Sequence, residues 1–170
     1  MTALFAALRT LVVVSGFVWL WTVVALWARQ FDSVCGGALP AWTPPLGVAV
    51  VVAGAPLALT CAVLFAIRGK GTPAPFDPPR TFVATGPYRL MRNPMYVGGW
   101  LTIVGVALLL RSPGIIALSL VALLFAHLFV ILYEEPTLTA TFGAGYDRYR
   151  ATVPRWIPNG KLAIRDPATW

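Results

Sequence analysis

Two short stretches hold most of the side chains in this sequence that could do chemistry: "RNPMYVG", Arg92 to Gly98, and "YEEP", Tyr133 to Pro136. Adjacent carboxylates such as Glu134 and Glu135 repel each other and ask for a cationic partner. Tyr88 and Tyr96 offer ring faces to a cation, a contact of about 0.5–2 kcal/mol according to desolvation. Asn93 donates and accepts hydrogen bonds but does not titrate, and Pro87 and Pro94 restrict the backbone around these groups. The plain alternative is that Arg92 reaches lipid phosphate and pairs with Glu134 as an interfacial salt bridge. The density of specialised groups in one place argues for a site.

What must bring these stretches together is apolar. Of 170 residues, 58% are hydrophobic and 11% charged, against roughly 45–50% and about 25% in an average soluble domain. Leu11 to Ala28 and Pro44 to Ile67 are apolar runs long enough for a membrane crossing, which takes about 20 residues. A third stretch, from Met95 to Tyr133, is too long for one crossing and is interrupted by Arg111, Ser112, Pro113 and Gly114, which is turn chemistry. The expected fold class is therefore an all-α integral membrane protein of about four transmembrane helices, the last two forming a hairpin. Counting about 20 residues from the turn back to Arg92 and about 20 forward to Glu134 puts both about 30 Å from it, facing each other at the membrane rim. Ionisable groups at such depth are expensive and usually functional.

The basic residues set the expected orientation. With both termini cytoplasmic, that side receives Arg9, Arg68, Lys70, Arg80, Arg89, Arg92, Arg148, Arg150, Arg155, Lys161 and Arg165, while Arg29 and Arg111 lie opposite. Anionic lipid is then a sufficient partner for the net charge of +7, and no nucleic acid is implied. A cleaved leader is not expected from the first apolar run, which exceeds a usual signal core and lacks a small-residue cleavage pattern. Two parts follow: residues 1–67, with two transmembrane helices, and residues 68–170, with a Pro- and Gly-rich cytoplasmic loop, the hairpin and a C-terminal segment. That segment contains a short interfacial helix around Tyr146 to Thr152, closed by Pro154 and Pro158. Tyr146 and Tyr149 share one face of it, either capping the site or seating the helix on the bilayer. The tryptophans mostly fall near span ends and read as interfacial anchors. His127, the single histidine, either lines a tunnel or bonds a neighbouring helix. No ligand spacing surrounds it or the two cysteines, so no metal is expected.

The ordered pattern Gly86-Pro87-Tyr88-Arg89, Arg92-Asn93-Pro94-Met95-Tyr96-Val97-Gly98, an apolar hairpin, Glu134-Glu135, Tyr146-Asp147-Arg148-Tyr149, Val153-Pro154-Arg155 and Ile157-Pro158 resembles the isoprenylcysteine carboxyl methyltransferase family. Tyr133-Glu134-Glu135-Pro136 is also similar to its relatives, the phospholipid N-methyltransferases. The resemblance spans roughly residues 75 to 158. It departs at Asn93, where the family usually has histidine, which puts proton transfer at that position in doubt.

The resemblance implies S-adenosylmethionine as methyl donor, held on the cytoplasmic side, and a lipophilic or lipid-modified acceptor that enters from the membrane. The cofactor contacts it implies are Tyr88, Arg92, Asn93, Pro94, Tyr96, Gly98, Glu134, Glu135 and Tyr149. Glu135 is the expected proton acceptor for an amine, and Arg148, Arg150 and Arg155 either guide an anionic headgroup or contact lipid phosphate. Arg92 suits the donor carboxylate, Glu134 or Glu135 its amino group or ribose, and Gly98 with Gly99 leaves room for close approach. Two other classes share some of these features: a sterol-type reductase that binds NADPH at a similar Arg-x-Pro-x-Tyr-x-Gly entry, and a non-catalytic protein retaining the fold.

Overall fold

The computed structural model describes residues 3–65, 67 and 83–158, and within them every regular element is helical. The α-helices are α1 (Ala3–Ala28), α2 (Thr43–Leu64), α3 (Pro94–Leu109), α4 (Pro113–Phe129), α5 (Glu135–Phe142) and α6 (Ala144–Thr152). Three helical stretches are long and apolar enough to cross a membrane: Leu11–Phe31, Thr43–Leu64 and Pro113–Phe142. The expected irregular loop lies largely outside the described residues, as do Arg68, Lys70, Arg80, Lys161 and Arg165.

The hairpin forms, but its legs are unequal. α3 has 16 residues, about 24 Å of helix, which is short of the length expected for a fourth span. It starts late because Pro94 occupies the first turn, where its missing N–H costs nothing. It stops at Arg111, whose φ of 53° is uncommon for a residue with a side chain. That conformation is held from outside the hairpin: Arg111 Nε donates to the Leu39 carbonyl at 2.7 Å, and the Leu39 N–H donates to the Arg111 carbonyl at 2.9 Å. Asp32 then caps α4 from the end of the first span. Its Oδ1 accepts from the Ser112 hydroxyl at 2.6 Å and from the Gly114 N–H at 2.9 Å, an acid placed at a helix N-terminus where the dipole favours it.

The other leg does not end at the acidic pair. α4 continues through a π turn, Val130–Glu134, directly into α5. Pro136 sits in the first turn of α5; its ring crowds the carbonyl four residues back and its missing N–H breaks the regular ladder, which accounts for the local widening.

α2 and α3 pack backbone to backbone. A Cβ at Gly47 would lie 2.7 Å from the Gly105 carbonyl oxygen, and one at Gly54 would lie 2.7 Å from that of Gly98. The reverse contacts are as tight, with Gly98 facing the Ala58 nitrogen at 2.7 Å and Gly105 facing the Gly47 oxygen at 2.9 Å. Two glycines seven residues apart on each of two antiparallel helices thus interlock, as small residues do where lipid supplies no hydrophobic drive for association. Gly114 likewise lets α4 approach the Ala28 carbonyl of α1. Small buried clusters pin the ends, with Ala25, Ala28, Ala107 and Ile115 at one and Cys61, Val83 and Tyr88 at the other. Elsewhere large apolar side chains such as Trp19, Val52, Val121 and Phe125 point outward, a surface suited to lipid.

Candidate functional site

The reversal at Arg111 carries the acidic pair back to the start of α3. There Tyr96 donates its hydroxyl proton to Glu134 Oε2 at 2.9 Å, and Arg92 Nη1 lies 2.8 Å from Glu135 Oε1. The π turn lets neighbouring carboxylates reach different partners, Glu134 turning to α3 and Glu135 to the residues that follow α6.

Those residues, 153–158, lie as a strap across the entry to α3. The Arg92 N–H donates to the Pro154 carbonyl at 2.8 Å, and the Asn93 N–H and Nδ2 both donate to the Arg155 carbonyl at 3.2 Å. Arg155 then turns its guanidinium onto Glu135, with Nε on Oε1 at 2.7 Å and Nη2 on Oε2 at 3.0 Å. Its pKa is raised, chiefly by that hydrogen bond, so it stays charged. Arg92 Nη1 also donates to the Tyr146 hydroxyl at 3.4 Å.

Arg92, Asn93, Pro94, Tyr96, Glu134, Glu135 and Arg155 meet at this cluster, whereas Tyr88, Gly98 and Tyr149 pack against α2 or the Gly86–Arg89 turn, and several of these residues are already engaged. Both oxygens of Glu135 are on guanidiniums, one from Arg155 alone and one shared with Arg92, so no oxygen is left bare to accept a proton as expected. Arg155, expected to guide a headgroup or contact lipid phosphate, has two of its nitrogens on that carboxylate. Asn93 is buried and anchors the strap. Pro94 is wholly buried at the start of α3. Tyr88 is also buried, its ring edge-on to Phe65 with centroids 5.5 Å apart, where it seats the turn Gly86–Arg89 on the end of α2. Tyr149 donates to the Tyr88 carbonyl at 2.6 Å and packs with Ala84, Tyr146 and Val153, so it seats α6 on this turn. The room at Gly98 is taken by α2, while Gly99 faces open space.

Two groups keep capacity for a ligand. Glu134 Oε1 has no hydrogen bond within the cluster, and Arg92 Nε is buried with no partner among the described residues. A buried donor without a partner costs about 1–3 kcal/mol, and a bound acceptor would remove that cost. The phenols of Tyr88, Tyr146 and Tyr149 are pushed above the ordinary tyrosine range, in each case mainly by burial, and so stay neutral. Among the described residues no three His, Cys, Asp or Glu side chains converge.

Beside the polar cluster an apolar groove of about 560 Å³ runs between α3 and α4, lined by Val97, Trp100, Leu120, Leu123, His127 and Trp156 among others. Trp156 belongs to the strap. Its Nε1 donates to His127 Nδ1 at 3.1 Å, and its ring lies edge-on to Tyr96 with centroids 6.3 Å apart. His127 therefore both lines the groove and bonds the strap rather than a neighbouring helix. Trp100 and Trp156, two of the tryptophans near expected span ends, wall this groove. Spacing alone held a signal for Trp100, since it falls four residues after Tyr96 and so shares its face of α3.

Residues 42–145 match the family model described as phospholipid methyltransferase. The match begins at the start of α2 and contains both the Arg92–Tyr96 entry and the acidic pair. The cobalt-zinc-cadmium resistance protein CzcN of Cupriavidus metallidurans is 29% identical over 133 residues, covering 76% of this chain and 56% of that protein. The chain thus spans just over half the length of this curated relative.

Proposed function

The chain belongs to the phospholipid methyltransferase family, and from that premise we propose an integral membrane methyltransferase that uses S-adenosylmethionine to methylate a lipophilic acceptor. The acceptor is an isoprenylcysteine-type carboxylate or a phospholipid-type amine. The observation that carries this reading is the closure of Arg92 and Tyr96 onto Glu134 and Glu135 by the hairpin, inside the region that matches the family.

The residues fit the donor. S-adenosylmethionine supplies an electrophilic methyl group on a sulfonium centre. Arg92 Nε, buried and without a partner among the described residues, would take its carboxylate, and Glu134 Oε1 its ammonium or a ribose hydroxyl. Tyr96 is hydrogen-bonded to Glu134 and holds that carboxylate in place. Glu135 fixes Arg92 and ties the strap to the helix through Arg155. Methyl transfer is an in-line displacement that neutralises charge, so alignment and exclusion of water do most of what is needed. The strap and the apolar groove provide both. A carboxylate acceptor requires no base, whereas an amine must be neutral, and Glu134 is then the nearest carboxylate with an oxygen not engaged by arginine.

The site end of the hairpin carries Arg89, Arg92, Arg148, Arg150 and Arg155, while Arg29 and Arg111 lie at the turn end. This supports a cytoplasmic site and cytoplasmic termini. Incubation of the purified chain with labelled methyl donor and a total membrane lipid and protein extract tests the reading. A labelled lipid or lipid-modified product supports it, and labelling no greater than in a control without protein counts against it.

A further inference from the structure

α1 is the least covered of the three long spans. In its apolar stretch 6% of the residues are buried, against 22% and 17% in the other two, and the family match begins at residue 42, beyond its end. One side of it is seated. Ala25 and Ala28 are buried in a cluster with Ile115 of α4, and Val14 and Trp21, on the same side at helical spacing, are half-buried.

The opposite side is patterned. Leu8, Val12, Ser15, Trp19, Thr22 and Leu26 follow one another at intervals of four, three, four, three and four residues, the a/d repeat of a coiled coil, and all of them are exposed. Trp19 is 68% exposed and lies within about 3 Å of the middle of the span Leu11–Phe31, far from the interfaces where indoles usually sit. Neither its Nε1–H nor the Ser15 hydroxyl has a hydrogen bond among the described residues, and hydrocarbon offers none. Thr22 donates to the Val18 carbonyl at 2.7 Å, and its oxygen keeps the capacity to accept.

In a parallel helix pair, a side chain at an a position enters a hole bounded by the a residue and the two nearest d residues of the facing helix. For Trp19 the walls of that hole are Trp19, Ser15 and Thr22 of the second copy. The two small residues leave room for an indole, and their oxygens accept its N–H. The seam is therefore complementary to itself. No Asp, Glu, Lys or Arg lies between residues 10 and 28, so it offers nothing to a charged membrane segment. A helix laid along its length of about 27 Å covers on the order of 400 Å² per partner, against about 800 Å² in a standard stable interface. That suits one helix in reversible association rather than a folded domain.

We infer that α1 pairs with α1 of a second copy of this chain, parallel in the bilayer, each Trp19 indole N–H donating to Ser15 or Thr22 of the other copy. The pairing is independent of what the carboxylate cluster binds.

The test places the full chain in phosphatidylcholine vesicles with donor and acceptor fluorophores on the exposed thiol of Cys35, Cys61 being buried. Energy transfer should exceed the level of random proximity, rise linearly with acceptor fraction as for a dimer, and fall on dilution with lipid. Trp19→Phe, which keeps a ring but no donor, should weaken association roughly five- to tenfold, the scale of two hydrogen bonds in a membrane. Ser15→Leu with Thr22→Leu should abolish it by filling the holes, whereas Trp27→Phe, also exposed on α1 but off the seam, should change nothing. A second readout keeps folding defects apart. In a Cys35→Ser background, Val12→Cys on the seam should form a disulfide-linked dimer on mild oxidation, and Val18→Cys off it should not. Transfer at the random level, which would leave α1 to lipid or to another protein's helix, would overturn the inference. So would association indifferent to both Trp19→Phe and the leucine pair, or equal cross-linking through Val12→Cys and Val18→Cys.

Discussion

Arg155 grips Glu135 from twenty residues away in sequence, Nε on Oε1 at 2.7 Å and Nη2 on Oε2 at 3.0 Å. Glu135 also meets Arg92 at 2.8 Å, with both of those side chains 11% exposed. One carboxylate therefore joins three separated segments: the entry to α3, the start of α5 and the strap after α6.

Glu135→Gln leaves two guanidiniums facing a neutral amide. Removing one member of a buried pair costs about 3–5 kcal/mol; here the loss should be about 2–4 kcal/mol, because Arg155 retains contact with solvent. The denaturant midpoint in micelles should fall accordingly, and the strap should become sensitive to protease. An unchanged midpoint would mean that Glu135 holds nothing together.

Gly98 and Gly99 are neighbours with opposite surroundings. A Cβ at Gly98 meets the Ala58 nitrogen at 2.7 Å, whereas one at Gly99 meets nothing within 4 Å. Gly98→Val should cost about 3 kcal/mol or prevent folding, by forcing α2 from α3. Gly99→Ala should be neutral or stabilising by up to about 1 kcal/mol, since alanine is the better helix former. Thermal melts of the two variants side by side make the comparison.

Much of this arrangement was legible beforehand. Arg111-Ser112-Pro113-Gly114 announced the reversal, residue counting placed Arg92 and Tyr96 opposite Glu134 and Glu135, and Pro154 and Pro158 marked the end of the C-terminal helix. The rest depended on contacts between distant segments, which leave little local pattern. Asp32 capping α4, Leu39 holding Arg111, and the strap bonding Asn93 join residues separated by 60 or more positions. Other features were written in the sequence and went unread. The seven-residue spacing of Gly47 with Gly54 and of Gly98 with Gly105 signalled a tight helix pair. Pro136, directly after the acids, signalled the π turn that parts them. The two helices nevertheless differ in length, because α3 begins only at Pro94 while the opposite helix runs on past the acids to Phe142.

Alkaline pH should loosen the region that seats α6. The phenols of Tyr88, Tyr146 and Tyr149 are raised mainly by burial, while an unfolded chain releases such protons near pH 10. The folded state then binds these protons more tightly than the unfolded one. Its stability from this source is complete below about pH 10 and declines as pH rises above it. Denaturant midpoints should be flat between about pH 8 and 9.5 and fall by about pH 11. In parallel, the phenolate absorbance of Tyr88, Tyr146 and Tyr149, assigned by single Tyr→Phe variants, should appear late and together with unfolding; early titration of these three in the folded protein would refute this.

The central claim is that Arg92, Tyr96 and Glu134 together clasp a sulfonium-bearing methyl donor. Its most direct measurement is calorimetry of the full chain in micelles with S-adenosylhomocysteine and with NADPH, repeated on Glu134→Gln. The amide in that variant keeps an oxygen for the Tyr96 hydroxyl but loses the charge. The account predicts one saturable site for S-adenosylhomocysteine, no site for NADPH, and an affinity roughly tenfold or more weaker in the variant, as expected for loss of a charged hydrogen bond. Binding of NADPH alone, or an affinity for S-adenosylhomocysteine that ignores the substitution, would contradict it.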